Sequence, residues 1–592
     1  MVSNPNLRRF LQMYSQSRLS NVETRGYDEL TYVATKLDEV LIPMIKEGKH
    51  ALYIITGNAG DGKTAFIQHL EQEIKKELEK RGEKFQQVTK SGSRFHYKAR
   101  THTTLYDGSQ DFEATSSNEI LREFFHEFEG EQVAAAVSLV KVIAVNAGRL
   151  VHYLTQEESR YAWLAQEVSK QLAGEPPTGP VLVINLNARS LVDGEILNYT
   201  PGNTKSVFDR LLDKLLDTHF WQPCLTCEVK EKCYVRFNVD TLLDPSSGPI
   251  VRQRLKFLFQ VFHFRRKLHV TIRELRSALA YILFGIKDCH QIQEDMAREK
   301  SNLRHLYYNA AFEGAERDRL ISLLAQLDVA QISNPHLDNH IASTPPEMQR
   351  GYLTFQARSA LDMPLLQQLY DNRPEDIFSR DPEKMKNAQL YHDSSRRKYF
   401  FENALFREQE EQTGRSSLPE VYMLPSRSAV NFAFAVAAKA PSEEVLSNIF
   451  TGLNRGEGIS LEDYESRYLC VRTSKRGSEV RAFAVYPVAD FAIQCNNMGY
   501  QENLVEFLPD CLILSYRPTG DTVEVGLDLY EAIERMRDGY MPSASELKAF
   551  FQNIVSFKKK VLGVAENTLV LYHPLGQRVV MERVPQGELM FR

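Results

Sequence analysis

Apolar and polar positions repeat with two different periods along the chain. Over Tyr27–Glu47, apolar side chains recur every three to four residues, which predicts a helix. The run Leu52–Ile55 is short and continuously apolar, as expected for a parallel strand buried on both faces. A second helical stripe follows over Ala65–Arg81. The pattern therefore predicts a helix, a buried strand and another helix in succession.

The same reasoning predicts further elements in the first half of the chain. Apolar runs indicate buried strands at Val140–Val145 and Val181–Leu186, and helical spacing covers Asn118–Phe128 and Leu150–Ala173. Residues 1–25 are polar and predict a polar arm. Helical spacing dominates from 206 to about 324, and the many prolines between 334 and 425 predict a linker with short helices.

From Tyr468 onward the pattern changes to short strands around a helical pair, which predicts an α+β domain. The predicted strands are Leu469–Arg472, Arg481–Pro487, Cys511–Tyr516, Thr522–Val525, Thr568–Tyr572 and Arg578–Arg583, and the predicted helices are Tyr530–Arg537 and Ser543–Lys560. Neither internal repeats nor a catalytic motif are evident in this part of the sequence.

Composition places the chain among ordinary soluble proteins. It has 592 residues, 43% of them hydrophobic and 25% charged, which fits about two to four domains. The net charge of −5 gives no electrostatic reason to expect nucleic acid as a partner of the whole chain. Met1–Leu19 is too polar for a signal peptide, and Val430–Ala438 is too short to span a bilayer. We expect a cytoplasmic protein with no membrane segment.

A glycine-rich loop lies between the first predicted strand and the helix that follows it. Gly57–Thr64 is GNAGDGKT and fits the P-loop pattern G-x-x-x-x-G-K-[ST]. The glycines let backbone N–H groups surround a phosphate, Lys63 is expected to reach the β- and γ-phosphates, and Thr64 is expected to ligate Mg²⁺. The alternative is a glycine turn with a surface lysine. The predicted ATP contacts are Gly57, Asn58, Ala59, Gly60, Asp61, Gly62, Lys63, Thr64 and Ala65.

A candidate magnesium carboxylate follows in the stretch His102–Asp111. Residues 103–106 predict a strand that ends at Asp107, where a Walker B aspartate would hold Mg²⁺ through water. Gln110 or Asp111 would then position the attacking water. The alternative is an Asp-Gly turn without a metal.

Three cysteines have the spacing of a metal knuckle. Cys224 and Cys227 form a C-x₂-C pair, and Cys233 supplies a third thiolate six residues later. We expect a structural zinc site with Cys289 as fourth ligand, and His290 is the other candidate for that position. The same spacing occurs at iron–sulfur clusters, and three unrelated cysteines are a further alternative.

The stretch Arg396–Phe401 places cations beside aromatic residues. Such a stretch can follow a phosphate backbone and stack on bases, or it can form a solvated helix turn at the edge of a core.

The order of these features resembles that of AAA+ ATPases over about residues 27–290. The resemblance implies a parallel-sheet P-loop core with a helical lid. It also implies that Asn146, at the end of a predicted strand, is a sensor of the γ-phosphate, with Asn187 as a second candidate. Alternatively, Asn146 only forms a turn. Arg149 is then either an arginine finger for a neighbouring subunit of a homo-oligomer or a surface cation.

The stretch Leu268–Leu283 resembles the sensor-2 helix of the AAA+ lid. Thr271 and Glu274 form a capping-box pattern, and the apolar stripe leaves Arg273 and Arg276 outside it. The stretch is similar to the G-N-x-R-E-L sequence of bacterial enhancer-binding AAA+ proteins, which implies that Arg273 senses the γ-phosphate. The alternative is a capped surface helix.

These observations predict an α/β P-loop core with a helical lid and a carboxyl-terminal α+β domain. The predicted segments are an arm (1–26), the core (27–200), a lid with the cysteine-rich insert (201–333), a linker region (334–460) and the α+β domain (461–592). The layout resembles P-loop ATPases of bacterial defence and signalling operons, among them the ATPase of phosphorothioation-dependent DNA restriction, which implies protein partners from the same operon.

We therefore expect an ATPase or an ATP-gated switch that uses Mg²⁺. No glutamate follows Asp107, which departs from the usual Walker B sequence. A nucleotide-dependent scaffold that does not hydrolyse ATP is the alternative, and a phosphotransferase has only the P-loop in its favour.

Overall fold

The structure is a computed structural model, and it divides into two compact units. The first unit comprises residues 1–259, 269–408 and 497–508, and the second comprises 260–268, 409–496 and 509–592. The residues that the structure describes are 3–15, 32–85, 91–112, 115–130, 138–194, 205–265, 269–298, 300–314, 319–333, 335–346, 361–374, 380–402, 427–438, 441–459, 462–474, 480–543, 545–546, 551–563, 568–573, 578–583 and 589–591.

A mixed sheet of mostly parallel strands organises the described part of the first unit. Its strands are β1 (Leu52–Thr56), β2 (Gly92–Tyr97), β3 (Arg100–Leu105), β4 (Leu139–Val145) and β5 (Val181–Asn185). The strand order is β2-β3-β4-β1-β5, and β2 alone pairs antiparallel to its neighbour. Ile54 at the centre of β1 pairs with Ile143 of β4 and Val183 of β5. The predicted strands at 52–55, 140–145 and 181–186 are thereby confirmed.

Helices cover both faces of this sheet, as in a doubly wound α/β core. The first helix of the chain, α1 (Pro5–Ser15), packs elsewhere, against the helix Ile272–Phe284. The helices on the sheet are α2 (Lys36–Glu47), α3 (Lys63–Lys80), α4 (Ser117–Phe125), α5 (Ala147–Gln156) and α6 (Glu158–Leu172). Successive β1 side chains point to opposite faces, so Tyr53 packs with α2 and α3 while Ile54 packs with α4, α5 and α6. Burial of one such side chain stabilises the fold by about 1.5–3 kcal/mol.

Two predictions near the amino terminus need correction. The predicted arm contains α1, whose Leu7 and Phe10 are buried, because the polar sequence carries an apolar stripe at helical spacing. The helix predicted from Tyr27 begins at Lys36, where Thr35 is extended and its backbone N–H donates to the carboxylate of Asp38 at 2.6 Å. Residues 27–31 lie outside the described residues.

The helices between residues 205 and 402 are α7 (Val207–Leu215), α8 (Thr218–Trp221), α9 (Tyr234–Leu243), α10 (Ser247–Phe264), α11 (Ile272–Phe284), α12 (Cys289–Ala297), α13 (Tyr307–Ala310), α14 (Arg319–Leu324), α15 (Pro335–Ser343), α16 (Asp362–Asp371) and α17 (Pro382–Glu402). Those from α7 to α14 occupy the predicted helical region. The stretch predicted as a linker with short helices contains α15 and α16 but also α17, which is 21 residues long. Short 3₁₀ turns lie at His126–Phe128, Leu186–Ala188, Gln222–Thr226, Lys230–Lys232, Leu303–His305, Ala325–Leu327, Val329–Gln331, Val488–Asp490 and Gly499–Asn503.

The cations of α17 are buried, which overturns both interpretations of the Arg396–Phe401 stretch. Arg397 forms a two-pronged ion pair with Asp328, at 3.0 and 2.7 Å. Lys398 is fully buried and contacts the carboxylates of Asp362 and Glu402 at 2.7 and 2.6 Å. Because these cations are paired inside the protein, this stretch is neither a nucleic-acid surface nor a solvated helix turn.

A short segment from the carboxyl-terminal part of the sequence belongs to the first unit. In residues 497–508, the side-chain amide of Gln501 donates to the carbonyls of Val183 and Gln171 and accepts from the N–H of Asn185. The carboxylate of Glu506 accepts from the N–H of Lys36 at 2.7 Å. The segment therefore satisfies backbone groups at the free edge of β5 and at the start of α2.

The second unit has the α+β character that the sequence predicts. Its strands are β6 (Tyr468–Arg472), β7 (Arg481–Pro487), β8 (Phe491–Cys495), β9 (Cys511–Tyr516), β10 (Asp521–Gly526), β11 (Thr568–Tyr572), β12 (Arg578–Arg583) and β13 (Leu589–Phe591). They form two antiparallel sheets in the described residues, ordered β10-β9-β8 and β13-β12-β11-β7-β6. The helices are α18 (Arg427–Ala437), α19 (Glu443–Gly456), α20 (Glu462–Glu465), α21 (Leu527–Arg537) and α22 (Gln552–Leu562).

Among the described residues, no helix has the length and apolar character needed to cross a bilayer.

Candidate functional site

A cavity of about 280 Å³ lies at the carboxyl end of β1. The glycine-rich loop from Gly57 to Gly62 leads from this strand into α3 and forms one wall. Parallel strands end at this edge of the sheet, which is where α/β folds bind their ligands. The lining residues are Tyr32, Val33, Thr35, Leu37, Ala59, Gly60, Asp61, Gly62, Lys63, Thr64, Ala65, Phe66, Gln68, Tyr106, Asp107, Ser109, Gln110, Asn146, Arg189, Ile272, Arg273 and Arg276.

The loop conformation depends on its glycines and on one buried carboxylate. Gly60 and Gly62 have φ angles of +98° and +86°, in the left-handed region that side chains with a Cβ rarely adopt. Asp61 is buried, and its carboxylate accepts from the N–H of Asn58 at 2.5 Å. The cap residue of α3 is Gly62, which offers no side-chain acceptor, so the first N–H groups of the helix remain to bind an anion.

Lys63, the first residue of α3, holds its ammonium group within the loop. Nζ donates to the carbonyls of Gly57 and Asn58 at 2.9 and 2.8 Å. Burial lowers the pKa of Lys63, while the nearby carboxylates of Asp61 and Asp107 act in the opposite direction. The cation is thus positioned beside the helix end where an anion would bind.

Thr64 and Asp107 lie on the side of the cavity formed by the end of β3. The Thr64 hydroxyl donates to the carbonyl of Tyr106 at 3.0 Å, which places it next to the residue that precedes Asp107. Asp107 lines the cavity, and its Oδ1 accepts from the N–H of Ser109 at 2.8 Å, as in an Asx turn. Asp107 therefore follows the end of β3, as predicted for a magnesium carboxylate, and it also forms the turn that was the alternative prediction.

The first turn of α11 forms the opposite wall. The N–H of Arg273 donates to the carbonyl of Gly60 at 3.2 Å, so this helix is bonded directly to the loop. The predicted capping box is confirmed, since Thr271 and Glu274 exchange hydrogen bonds at the helix start. Arg273 and Arg276 both line the cavity.

Two residues that the sequence analysis missed bind the loop through Asp61. Arg189 is 5% exposed, lines the cavity and donates from Nη2 to the carbonyl of Asp61 at 2.6 Å. His269 contacts the Asp61 carboxylate at 2.8 Å. Arg189 follows β5 by four residues, and its position beyond a predicted central strand is the one signal in the sequence that could have indicated it.

Of Asn146, Asn187 and Arg149, three residues that the AAA+ resemblance singled out, only Asn146 lines the cavity. Asn146 lines the cavity, but its side-chain oxygen caps α5 by accepting from the N–H groups of Gly148 and Arg149. In the described part of the chain its side-chain NH₂ makes no hydrogen bond, so this group can donate to a ligand. Asn187 is exposed and does not line the cavity. Arg149 does not line it either, and its guanidinium donates to side chains of α4.

The two candidates for positioning water also separate. Gln110 lines the cavity, whereas Asp111 does not. The Asp111 carboxylate instead accepts from the N–H of Ser117 at 2.7 Å, near the start of α4. Gln110 is therefore the better placed of the two.

Apolar and aromatic groups before and within α2 also line the cavity. Tyr32 and Val33 are two of them, and the Tyr32 hydroxyl donates to Asp38. The Asp38 pKa is lowered: burial acts to raise it, but hydrogen bonds from His69, Tyr32 and Thr35 outweigh that effect. The Tyr32 ring also contacts His69, with ring centres 4.5 Å apart and a tilt of 33° between the ring planes.

The predicted metal-binding cysteines meet in a second, smaller cavity of about 30 Å³. Cys224, Cys227, Cys233 and Cys289 all line it, together with Asn4. His290, the other candidate ligand, is exposed and pairs with Glu294. The four thiols are not yet placed as ligands of a common ion. In the described residues, no group of three or more His, Cys, Asp or Glu side chains is close enough together to hold a metal ion.

Comparisons with models of protein families, with curated proteins and with solved structures found no match for this chain. A functional assignment must therefore come from the chemistry of the cavities themselves.

Proposed function

We propose that the chain is an ATP-binding P-loop protein of the AAA+ type that acts as an ATPase or as an ATP-gated switch. The observation that carries the proposal is the meeting of three elements around one cavity. The loop with Lys63 and Thr64, the end of β3 with Asp107, and the first turn of α11 with Arg273 all line it. Each element supplies the residue type that binding of a nucleoside triphosphate requires at that position.

The charges of the side chains that line the cavity support a polyphosphate ligand. Four cationic side chains line the cavity: Lys63, Arg189, Arg273 and Arg276. Two carboxylates, Asp61 and Asp107, accompany them, and Asp61 is already committed to Asn58 and His269. An excess of cations beside the N–H groups of α3 favours an anionic ligand with several charges.

The residues present also fit a magnesium ion. Thr64 offers a hydroxyl and Asp107 a carboxylate, the hard oxygen donors that Mg²⁺ prefers. When bound with ATP, Mg²⁺ would neutralise negative charge on the β- and γ-phosphates. The protein's part is to hold the phosphate chain with Lys63 and the loop N–H groups, and to report the γ-phosphate to the lid through Arg273.

The apolar part of the cavity lining suits a nucleobase. Tyr32 and Val33 provide an aromatic ring and an aliphatic surface, and Phe66 lines the same cavity. Stacking on an aromatic side chain contributes about 1–3 kcal/mol per base in other complexes. We place the base there and the γ-phosphate toward Asp107.

A scaffold that binds ATP without hydrolysing it is the second candidate, and a specific observation favours it. Asp107 and Asp61 are the acidic side chains that line the cavity, and neither is followed by a glutamate in the sequence. Uncharged polar side chains, among them the amides of Gln110 and Asn146, are then left to orient an attacking water. Release of phosphate over many turnovers supports an ATPase, whereas tight binding without turnover supports the scaffold.

The test of nucleotide binding compares two lysines of the same helix. Titration calorimetry with Mg-ATP should show an affinity about 10–100 times weaker in Lys63→Ala, since a hydrogen bond to a charged group is worth about 1.5–3 kcal/mol. Lys76→Ala, which removes a 64% exposed side chain from α3, should bind like the wild type. Wild-type affinity in Lys63→Ala, with circular dichroism showing an intact fold, would overturn the proposal.

The similarity in layout to ATPases of bacterial defence and signalling operons leads us to propose protein partners from the same operon. Affinity capture from native cells, with and without ATP, tests this part separately. Capture of the same partners by wild type and Lys63→Ala would show that the association does not depend on nucleotide.

A further inference from the structure

We propose that Cys224, Cys227, Cys233 and Cys289 bind one structural zinc ion, and that Asn4 donates hydrogen bonds to the bound sulfur atoms. The thiols come from three places in the sequence: a 3₁₀ turn and the residue after it, the start of α9, and the first residue of α12. They share one cavity with Asn4. This site is independent of the proposed nucleotide function.

The ligand chemistry favours zinc in a structural role. Four thiolates complete a tetrahedron and leave no open position for water or substrate, as in closed Cys₄ sites. The cysteines are unpaired in the structure, so a disulfide does not explain their meeting. The four sulfur atoms line the cavity but are not yet placed around a common centre. Zinc binding would therefore rotate the cysteine side chains toward the ion.

Asn4 supplies a second, independent observation. Its backbone N–H donates to Cys289 Sγ at 3.4 Å, and its Nδ2 donates to Cys224 Sγ at 3.2 Å. Four thiolates around a divalent cation leave an excess of negative charge, which N–H donors to sulfur reduce. Arg236 and Lys230 also line the cavity and act in the same direction.

The site would connect α1 to the lid. Phe10 of α1 stacks on Phe284 at the end of α11 with ring centres 5.1 Å apart, and on Trp221 at 5.8 Å. A metal that holds Cys224 and Cys289 beside Asn4 would fasten α1 against that end of α11. The opposite end of α11 carries Arg273, so zinc stabilises the lid without entering the nucleotide cavity.

Metal content tests the site directly. Elemental analysis of full-length protein purified without added metal should find about one zinc ion per chain. Cys224→Ser and Cys289→Ser should each lose most of it, whereas Cys495→Ser, a half-buried cysteine of the second unit, should keep it. Zinc below about a tenth of an equivalent, iron with sulfide in its place, a disulfide between these cysteines, or unchanged zinc in both variants would overturn the proposal.

A milder pair of variants covers the case in which the cysteine variants do not fold. Asn4→Ala removes the Nδ2 donor to Cys224, and Asn6→Ala removes an amide that also donates to Phe220 but contacts no sulfur. Competition with the chelator 4-(2-pyridylazo)resorcinol should show zinc held about tenfold more weakly in Asn4→Ala than in Asn6→Ala. Equal affinity in the two variants would contradict the role of Asn4.

Discussion

The N–H of Arg273 donates to the carbonyl of Gly60, so the first turn of α11 is bonded to the glycine-rich loop at 3.2 Å. This approach is close because Gly60 has no side chain. A Cβ built at Gly60 would lie 3.1 Å from Thr271 Oγ1 and 3.2 Å from Arg273 Cβ. A movement of the loop at Gly60 toward α11 would therefore press directly on Thr271 and Arg273.

Gly60→Ala should weaken ATP binding about tenfold or more, because the added Cβ presses on α11 and strains the left-handed backbone. Gly82→Ala is the matched control: its φ of +72° carries the same backbone penalty, but nothing lies within 4 Å of the added Cβ. Calorimetry with Mg-ATP measures both variants. Equal loss of affinity in the two would show that contact with α11 is not responsible.

Arg189→Ala should also lower the affinity for ATP, by about 10–100-fold, because it removes a cation from the cavity and a hydrogen bond that supports Asp61. Arg189→Lys should restore part of the loss, since it keeps the charge but not the planar fork. Arg122→Ala removes a hydrogen bond to the carboxylate of Glu157, between two residues that do not line the cavity, and should bind ATP normally. A normal affinity in Arg189→Ala would exclude the residue from the site.

Asp193 gives the stability of the first unit a predictable pH dependence. Burial, and then the neighbouring Glu506 carboxylate, raise the pKa of Asp193 from 3.8 to about 7 in the folded protein, against the opposing charge of Lys256. Between these two pKa values the folded state binds a proton that the unfolded state has lost. The free energy of unfolding therefore falls as pH rises from about 4 to about 7.

Asp193→Asn should remove the fall in stability between about pH 4 and pH 7, because the amide does not ionise. It should raise the free energy of unfolding by about 1–3 kcal/mol at pH above about 7, with a smaller effect near pH 4. Urea titrations across this range measure the difference. Asp538→Asn, at a side chain 72% exposed, should leave the pH profile unchanged. A gain that is equal at both ends of the range would mean that titration of Asp193 is not the cause.

Lys398→Met should destabilise the first unit strongly, by about 3–5 kcal/mol, because it leaves Asp362 and Glu402 buried without their cation. Lys386→Met changes an exposed lysine of the same helix and should have little effect. Thermal unfolding followed by circular dichroism compares the two. Similar midpoints for both variants would mean that the buried acids are neutral without Lys398.

Local sequence patterns predicted the parts of this molecule that depend on neighbours along the chain. The strand at Leu52–Ile55 and the capping box at Thr271 need only a few consecutive residues to be recognised, because burial and capping act over one turn or one strand. The glycine-rich loop was recognisable for the same reason. Its contacts with α11 could be suggested by resemblance but not deduced.

Long-range partners were not predictable in this way. Arg189 is an unremarkable arginine in the sequence, and only the fold brings it to the carbonyl of Asp61. Arg397 and Lys398 suggested a charged surface because Asp328 and Asp362 lie 69 and 36 residues away from them. The nearby Glu402, four residues after Lys398, did not by itself indicate that the pair is buried. Asn4 is separated from Cys289 by 285 residues, so no spacing rule could join them.

The segment at 497–508 limits how this protein can be divided. A shortened chain that stops before Asn497 would contain every residue that lines the cavity at the end of β1, yet it would lack Gln501 and Glu506. The backbone groups of β5 and the first N–H of α2 would then lose partners that no nearby residue in the sequence replaces. Laboratory fragments designed from the motif order alone should be poorly soluble, and the first unit is best studied within the whole chain.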